Sequence, residues 1–171
     1  MKAKGLIPEH LEGREFLSKK AGSFSGVPQR NVQFWTKKGV ITPNIEDTTG
    51  PGIHRKYDTL NCIEVGITDS MAKNRVPLEI IKECIKFLRT AEISESGPRV
   101  GKWYELEKYS DLLPYTQSLV IHFNDTEDTK KPLKHKIELS RVAAVARPEY
   151  DKTLIVNIVR IAKKVISKIG G

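Results

Sequence analysis

The sequence predicts a mainly α-helical protein that carries a small β component. Through the first ninety residues, apolar side chains recur at helical spacing, for example at Leu60, Ile63 and Ile67. That period is typical of one buried face of an α-helix. Later in the chain, residues 119–123 and 136–140 alternate with a period of two, which is typical of β-strands.

Length and composition indicate a soluble globular chain. The chain has 171 residues, which suits one domain or one small domain with an appendage. Its hydrophobic content is 39% and its charged content 29%, values that disfavour a disordered protein. The formal net charge is +8 and the pI is near 9.5. This charge favours an acidic partner such as nucleic acid or an anionic membrane, without choosing between them.

The two cysteines and the N-terminal residues bear on the compartment. Cys62 and Cys84 do not form a CxxC pair, so we expect small core residues rather than a zinc or redox site. The first residues lack the apolar core of a signal peptide, and no stretch approaches the roughly 18–20 apolar residues of a membrane span. We therefore expect a cytoplasmic protein with no membrane contact, no metal and no cofactor.

The N-terminal part is predicted to contain two short helices joined by a turn. The first helix is expected over residues 14–21, and the small residues GSFSG at 22–26 are expected to form the turn. Pro28 suits the start of the second helix. In that helix, Val32 and Trp35 with Phe34 form an inward-facing stripe. Helix, tight turn and helix in succession are typical of a helix-turn-helix.

Beyond the second helix, Gly39 is expected to end it. The tripeptide at 50–52 is Gly-Pro-Gly, which predicts a turn between two short extended pieces. Asp58 is a plausible N-cap for a third helix over about Thr59 to Lys73. Pro77 opens a fourth helix that extends to about Arg89.

The C-terminal part is predicted to be a small α+β appendage. The segment SESGPRVG at 94–101 is the best candidate boundary and divides the chain into residues 1–92 and 93–171. The strands at 119–123 and 136–140 are expected to form an antiparallel β-hairpin. A last helix is expected over residues 152–168, with Asp151 as its cap.

Several motifs of the N-terminal part occur together in order. They are the Gly26-Val27 turn, the helix exit FWTKKGVI, the segment GIHRKY, the Tyr57-Asp58 helix start and VPLEIIKECIKFL. With these motifs, residues 14–88 resemble the DNA-binding domain of the mercury-resistance-type (MerR) transcriptional regulators. The resemblance implies a winged helix-turn-helix in which GIHRKY belongs to the wing. It further implies a homodimer that distorts promoter DNA and acts with RNA polymerase.

The second helix and the wing supply the candidate DNA contacts. Asn and Gln side chains can pair with adenine and Arg with guanine in the major groove, while lysines and the wing can neutralise phosphates. We expect the ring of Tyr57 to pack on the third helix and its hydroxyl to reach a phosphate. The alternatives are a solvated polar face and a mobile basic hairpin tip. The candidates are Lys19, Lys20, Gln29, Arg30, Asn31, Gln33, Phe34, Lys37, Lys38, His54, Arg55, Lys56 and Tyr57.

Two further groups of residues lie in the C-terminal part. One is aromatic and is a candidate effector site for a small molecule, unless it forms the core of the appendage: Trp103, Tyr104, Tyr109, Tyr115 and Phe123. The other is one of two apolar stripes on the last helix. It packs either against a second subunit, in a dimer, or inside the monomer, and its members are Leu154, Ile158, Ile161 and Val165.

The sequence favours a sequence-specific DNA-binding transcriptional regulator. One alternative is an architectural DNA-binding protein, such as an excision or segregation factor, that needs no effector. A second alternative is a C-terminal part that binds a small molecule or carries out catalysis. Residues 93–171 show no Ser-His-Asp set, paired catalytic carboxylates or phosphate-binding loop, so we do not expect an enzyme.

Overall fold

A computed structural model describes residues 7–45, 54–90, 92–94, 100–102, 118–123, 135–140 and 152–171. A short 3-10 helix at Glu9–Leu11 comes first. The α-helices are α1 (Ser18–Ser25), α2 (Gln29–Lys37), α3 (Thr59–Lys73), α4 (Leu78–Thr90) and α5 (Ile158–Gly170). The strands are β1 (Glu92–Ser94), β2 (Val100–Lys102), β3 (Ser118–Phe123), β4 (His135–Ser140) and β5 (Lys152–Asn157). The prediction of a mainly helical protein with a small β component is confirmed.

The main sheet is antiparallel and has β3 at its centre. Its strand order is β4-β3-β5, and Leu119 of β3 pairs with Leu139 of β4 and with Val156 of β5. The predicted hairpin between the strands at 119–123 and 136–140 is therefore confirmed. A separate pair, β1 with β2, is also antiparallel.

The third helix begins where its capping residue predicts. The Asp58 carboxylate accepts a hydrogen bond of 2.8 Å from the backbone N–H of Asn61. The Asn61 side chain in turn accepts a hydrogen bond of 3.3 Å from the Asp58 N–H. This reciprocal capping box satisfies backbone donors that the first turn of a helix leaves without partners.

The prediction of the first helix was wrong in its bounds. Helix α1 covers Ser18–Ser25, so most of the predicted turn at 22–26 is helical. Phe16 lies before the helix and exchanges two backbone hydrogen bonds with Tyr57, at 2.8 and 2.9 Å. This bridge holds residue 16 in an extended conformation. The helix continues through Phe24 because that side chain is buried, and burial of an apolar residue outweighs the weak helix propensity of its serine and glycine neighbours.

The prediction of the last helix was also wrong at its start. Residues 152–157 form β5, and α5 begins at Ile158, where Asn157 rather than Asp151 is the cap. The Asn157 side chain accepts a hydrogen bond of 2.8 Å from the Arg160 N–H. In β5, Leu154 and Val156 point to the core side of the sheet, which a strand achieves with a period of two.

The C-terminal helix shares a hydrophobic core with the N-terminal helices. The apolar face of α5 is buried against α3 and α1. Gly66 of α3 allows this close packing, because a Cβ atom there would lie 2.9 Å from both Ile161 Cγ2 and Ser25 Oγ. The division of the chain at residue 92 stays a prediction. Packing within the described residues is continuous across it.

Candidate nucleic-acid interface

The turn between α1 and α2 is tight and depends on two glycines. Three residues, 26–28, join the helices. Gly26 adopts a left-handed conformation with φ of 74°, which glycine adopts without steric cost. The Val27 N–H donates a hydrogen bond of 2.9 Å to the Gly22 carbonyl. A Cβ atom on Gly22 would lie only 2.4 Å from the Val27 carbonyl oxygen, so no larger residue fits without displacing the backbone.

Helix α2 has one buried face and one polar face. Val32, Trp35 and Thr36 are buried, and they hold the helix against the core. The opposite face exposes the guanidinium and amide side chains of Arg30 and Gln33. Because the buried face fixes the helix about its axis, these polar groups are held pointing away from the protein.

The remaining candidates on α2 differ in their exposure and in their contacts with other side chains. Gln29 is exposed and its Nε2 donates a hydrogen bond of 3.1 Å to Ser18 Oγ, at the start of α1. Asn31 is half-buried. Phe34 does not belong to the inward stripe predicted for it: its side chain is 48% exposed, and Lys38 Nζ lies 6.0 Å from the centre of its ring.

Helix α2 ends at a glycine, as predicted. Gly39 has φ of 68°, and the backbone N–H of Val40 donates a hydrogen bond of 2.9 Å to the Trp35 carbonyl. Val40 and Ile41 are buried directly after the turn. This anchoring fixes the direction in which the chain leaves the exposed helix.

The basic segment that follows residues 46–53 is only partly exposed. Residues 46–53, which include the predicted wing turn, lie outside the described residues. His54 is exposed, while Arg55 and Lys56 are half-buried. Lys56 Nζ lies 3.1 Å from the Glu15 carboxylate. The two side chains are 41% and 51% exposed, so solvent screens this ion pair and it stabilises the fold little.

The position of Tyr57 corrects the expectation that its hydroxyl reaches a phosphate. The side chain is 1% exposed, and its hydroxyl oxygen lies 3.0 Å from Oγ1 of Thr36 on α2. Thr36 also donates a hydrogen bond of 2.9 Å to the Val32 carbonyl. Tyr57 therefore supports α2 from within the core.

The four predicted lysines of α1 and α2 are all exposed: Lys19, Lys20, Lys37 and Lys38. Lys20 Nζ lies 5.2 Å from the centre of the Phe24 ring. That ring packs edge to face on Phe16 at a centroid distance of 5.0 Å. The ammonium group of Lys20 is thus placed for a cation–π interaction with the Phe24 ring while the side chain stays exposed.

A polar network behind this surface was not expected from the sequence. Asn61 donates hydrogen bonds of 2.9 Å to the Thr42 carbonyl and 3.0 Å to Glu64, and accepts one of 2.8 Å from the Asn44 N–H. Arg89 of α4 binds both carboxylate oxygens of Glu64 at 2.6 Å and the Thr42 carbonyl at 2.6 Å. The network ties the chain that leaves α2 to α3 and α4. A lone glutamate between Ile63 and Val65 was the available signal.

Burial raises the pKa of the Glu64 carboxyl group, although the hydrogen bonds and charge of Arg89 act in the opposite direction. A buried carboxylate is costly unless it is paired. Here Arg89 and Asn61 together supply three donors to its two oxygens. The network therefore depends on all of its members being present.

The C-terminal candidates divide into described and undescribed residues. Trp103, Tyr104, Tyr109 and Tyr115 lie outside the described residues, and only the backbone of Phe123, in β3, is described. Leu154 lies in β5 and not on the last helix. Ile158 and Val165 are at most 1% exposed, and Ile161 packs beside Gly66. These positions favour the alternative in which the stripe is covered within the monomer.

Comparisons with known proteins add no relative. No family model matches the chain, and no curated protein matches its sequence. Within the described residues, no helix combines the length and apolar character needed to span a membrane. In the same part of the chain, His, Cys, Asp and Glu side chains form no group of three or more suited to a metal ion.

Proposed function

We propose that the protein is a sequence-specific reader of double-stranded DNA and acts as a transcriptional regulator. In this proposal α1 and α2 form the helix-turn-helix of a winged domain, and α2 enters the major groove. The observation that carries it is the arrangement of α2: Arg30 and Gln33 are exposed on a helix whose other face is buried.

The chemistry of the exposed face fits base recognition. The guanidinium group of Arg30 can donate two hydrogen bonds to a guanine edge, and the amide of Gln33 can pair with adenine. Each such pair discriminates between bases by about 1–3 kcal/mol. Gln29 joins them after giving up its exposed bond to Ser18, which is worth about 1 kcal/mol.

Lysines around α2 suit the phosphate backbone. Lys19 and Lys20 lie on α1, which crosses the backbone in this kind of domain. Lys37 and Lys38 lie at the C-terminal end of α2. Phosphate contacts of this kind position the protein without reading sequence, and they make affinity fall steeply as salt concentration rises.

Regulation, a dimer and an effector follow from the resemblance to MerR-type regulators. A homodimer would read two half-sites and distort the promoter between them for RNA polymerase, a step that depends on DNA deformation energy. A small-molecule effector near the aromatic residues of 103–123 belongs to the same proposal.

The test is selection of binding sites from a random duplex library, followed by affinity measurements on the recovered site. We expect one enriched sequence. Arg30→Ala should relax the choice at one base position by about 5- to 150-fold, which corresponds to about 1–3 kcal/mol. Arg75→Ala removes an equal charge from the turn between α3 and α4 and should leave the base preference unchanged.

Three outcomes separate the alternatives. Failure to bind any duplex contradicts the proposal. Equal affinity for every duplex, with bending of the DNA, favours an architectural protein instead. Enrichment of one site whose base preference is insensitive to Arg30→Ala and Gln33→Ala contradicts the assignment of α2 as the reading helix.

A further inference from the structure

Helix α5 carries a basic face that has no part in the base recognition proposed for α2. Arg160, Lys163, Lys164 and Lys168 are all exposed. On a helix with 3.6 residues per turn, they fall within an arc of about 140°. Residues 158–171 contain no acidic residue, so this helix contributes +4 of the chain's formal net charge of +8.

The charges of this face have no ion-pair partner among the residues that the structure describes. Within the described part of the chain, none of the four side chains forms an ion pair, in contrast to Lys56 with Glu15 and Lys73 with Asp69. Spacings of three and four residues bring like charges together along the helix, which is unfavourable for an isolated helix. Arg160 also lies in the first turn, where the helix dipole disfavours a cation.

Helix α5 lies beside the helix that is proposed to cross the DNA backbone. Ile161, near the start of α5, and Ser25, at the end of α1, both pack against Gly66 of α3. At the other end of α5, the Ile169 carbonyl accepts a hydrogen bond of 3.3 Å from Arg14, shortly before α1. Packed helices lie about 8–10 Å apart, so α5 is a near neighbour of the helix that carries the exposed Lys19 and Lys20.

We infer that the exposed face of α5 is a second DNA contact, which binds the phosphate backbone next to the site read by α2. This inference rests on the proposed function. An anionic membrane fits less well, because interfacial helices insert an apolar face into the lipid. The apolar face of α5 is instead buried in the protein core, at Ile158, Ala162, Val165 and Ile169.

The test compares two triple variants of the full chain on the recovered DNA site with long flanks. The first is Lys163→Gln with Lys164→Gln and Lys168→Gln. The control is Lys73→Gln with Arg75→Gln and Lys86→Gln, which removes the same charge from α3, the α3–α4 turn and α4. Glutamine is a good helix former, so both variants should fold, and circular dichroism checks this.

The readout is the slope of log affinity against log salt. Affinity falls as salt rises, and each lost phosphate contact makes the slope less steep by about 0.9. If all three lysines bind phosphates, the wild-type protein loses roughly 40-fold more affinity than the α5 variant between about 50 and 200 mM salt. The base preference should be unchanged. A duplex trimmed to the site itself should abolish the difference between the two proteins.

Each other outcome overturns the inference in a recognisable way. Equal slopes for wild type and α5 variant, with tight site-specific binding, reject the α5 contact while the proposed function stands. If the salt slope changes equally in the α5 variant and in the control variant, the effect comes from net charge alone and not from a contact at α5. If the wild-type protein binds phosphatidylglycerol vesicles, the α5 variant does not, and their salt slopes on DNA are equal, then the basic face of α5 binds membranes rather than DNA. Absence of duplex binding by the wild-type protein rejects both proposals.

Discussion

Arg89 binds Glu64 through two hydrogen bonds of 2.6 Å, from Nε to Oε1 and from Nη2 to Oε2. The glutamate side chain is 3% exposed and that of the arginine 26%. The pair joins α4 to α3, and Arg89 also holds the Thr42 carbonyl in the chain that leaves α2. A bidentate pair in a buried site constrains both partners more than a surface ion pair does.

Removal of Arg89 should destabilise the protein strongly. Arg89→Met leaves the buried Glu64 carboxylate with only its Asn61 donor, and we expect a loss of about 3 kcal/mol in the free energy of unfolding by urea. Lys73→Met removes the exposed pair with Asp69 and should cost no more than about 0.5 kcal/mol. Glu64→Leu combined with Arg89→Met should recover much of the loss. Equal costs for the two single variants would contradict this account.

The destabilisation by Arg89→Met should depend on pH. Burial raises the pKa of Glu64 above its ordinary value, and loss of Arg89 raises it further. The folded variant therefore binds a proton that the unfolded chain releases, so its stability increases as pH falls through the raised pKa. We expect the difference in unfolding free energy from wild type to shrink between neutral pH and about pH 5. A difference that is constant with pH would show that the carboxylate charge is not the cause.

Gly22 should be essential for the geometry of the turn between α1 and α2. Gly22→Ala places a Cβ atom 2.4 Å from a backbone oxygen, and backbone cannot move aside as a flexible side chain does. We expect a cost of about 3 kcal/mol, at the upper end for overpacking, in urea unfolding. Ser23→Ala, at the neighbouring exposed position, is the matched control and should cost less than about 1 kcal/mol. A Gly22→Ala protein as stable as wild type would show that the helices are not packed this closely.

Tyr57→Phe distinguishes a core role from a DNA contact. The variant loses the hydroxyl contact with Thr36, so we expect the unfolding free energy to fall by about 1 kcal/mol. The affinity for DNA should stay within about twofold, because a buried hydroxyl reaches no phosphate. The opposite pattern, with unchanged stability and weaker DNA binding, would restore the sequence-based expectation. Lys37→Ala provides the reference for the loss of one phosphate contact.

The thiol of Cys84 should be unreactive in the folded protein. Burial raises its pKa to about 12, so hardly any thiolate forms at pH 8 and alkylation by iodoacetamide should be slow until urea is added. Above about pH 9 the unfolded chain ionises this thiol while the folded protein does not. Stability should therefore fall as pH rises, by up to about 1.4 kcal/mol per pH unit for this group. Cys84→Ala should show a smaller fall, and rapid alkylation of the native protein would contradict the burial.

Local signals were enough to predict much of the N-terminal half. Asp58 places the start of α3, Gly39 the end of α2, and Pro77 the start of α4, because caps and prolines act on neighbouring backbone alone. The exposure of Arg30 and Gln33 follows from the helical period. These features need no knowledge of the tertiary fold.

The errors arose where distant packing decided the local structure. Most of residues 154–161 are apolar, so their pattern does not distinguish a strand from a helix, and pairing with β3 selects a strand through Asn157. The serines and glycines around Phe24 predicted a turn, but its burial kept the helix intact. The role of Arg89 was out of reach, because its partner Glu64 lies 25 residues away in the chain.

The bridge between Phe16 and Tyr57 has a consequence for synthesis on the ribosome. Helix α2 leaves the exit tunnel before Tyr57, which supports it, since domains form as their residues emerge. Until Tyr57 arrives, Thr36 lacks its hydroxyl partner and Phe16 its backbone partner. We therefore expect a short peptide that ends after residue 45 to lack part of the support that α2 has in the full chain.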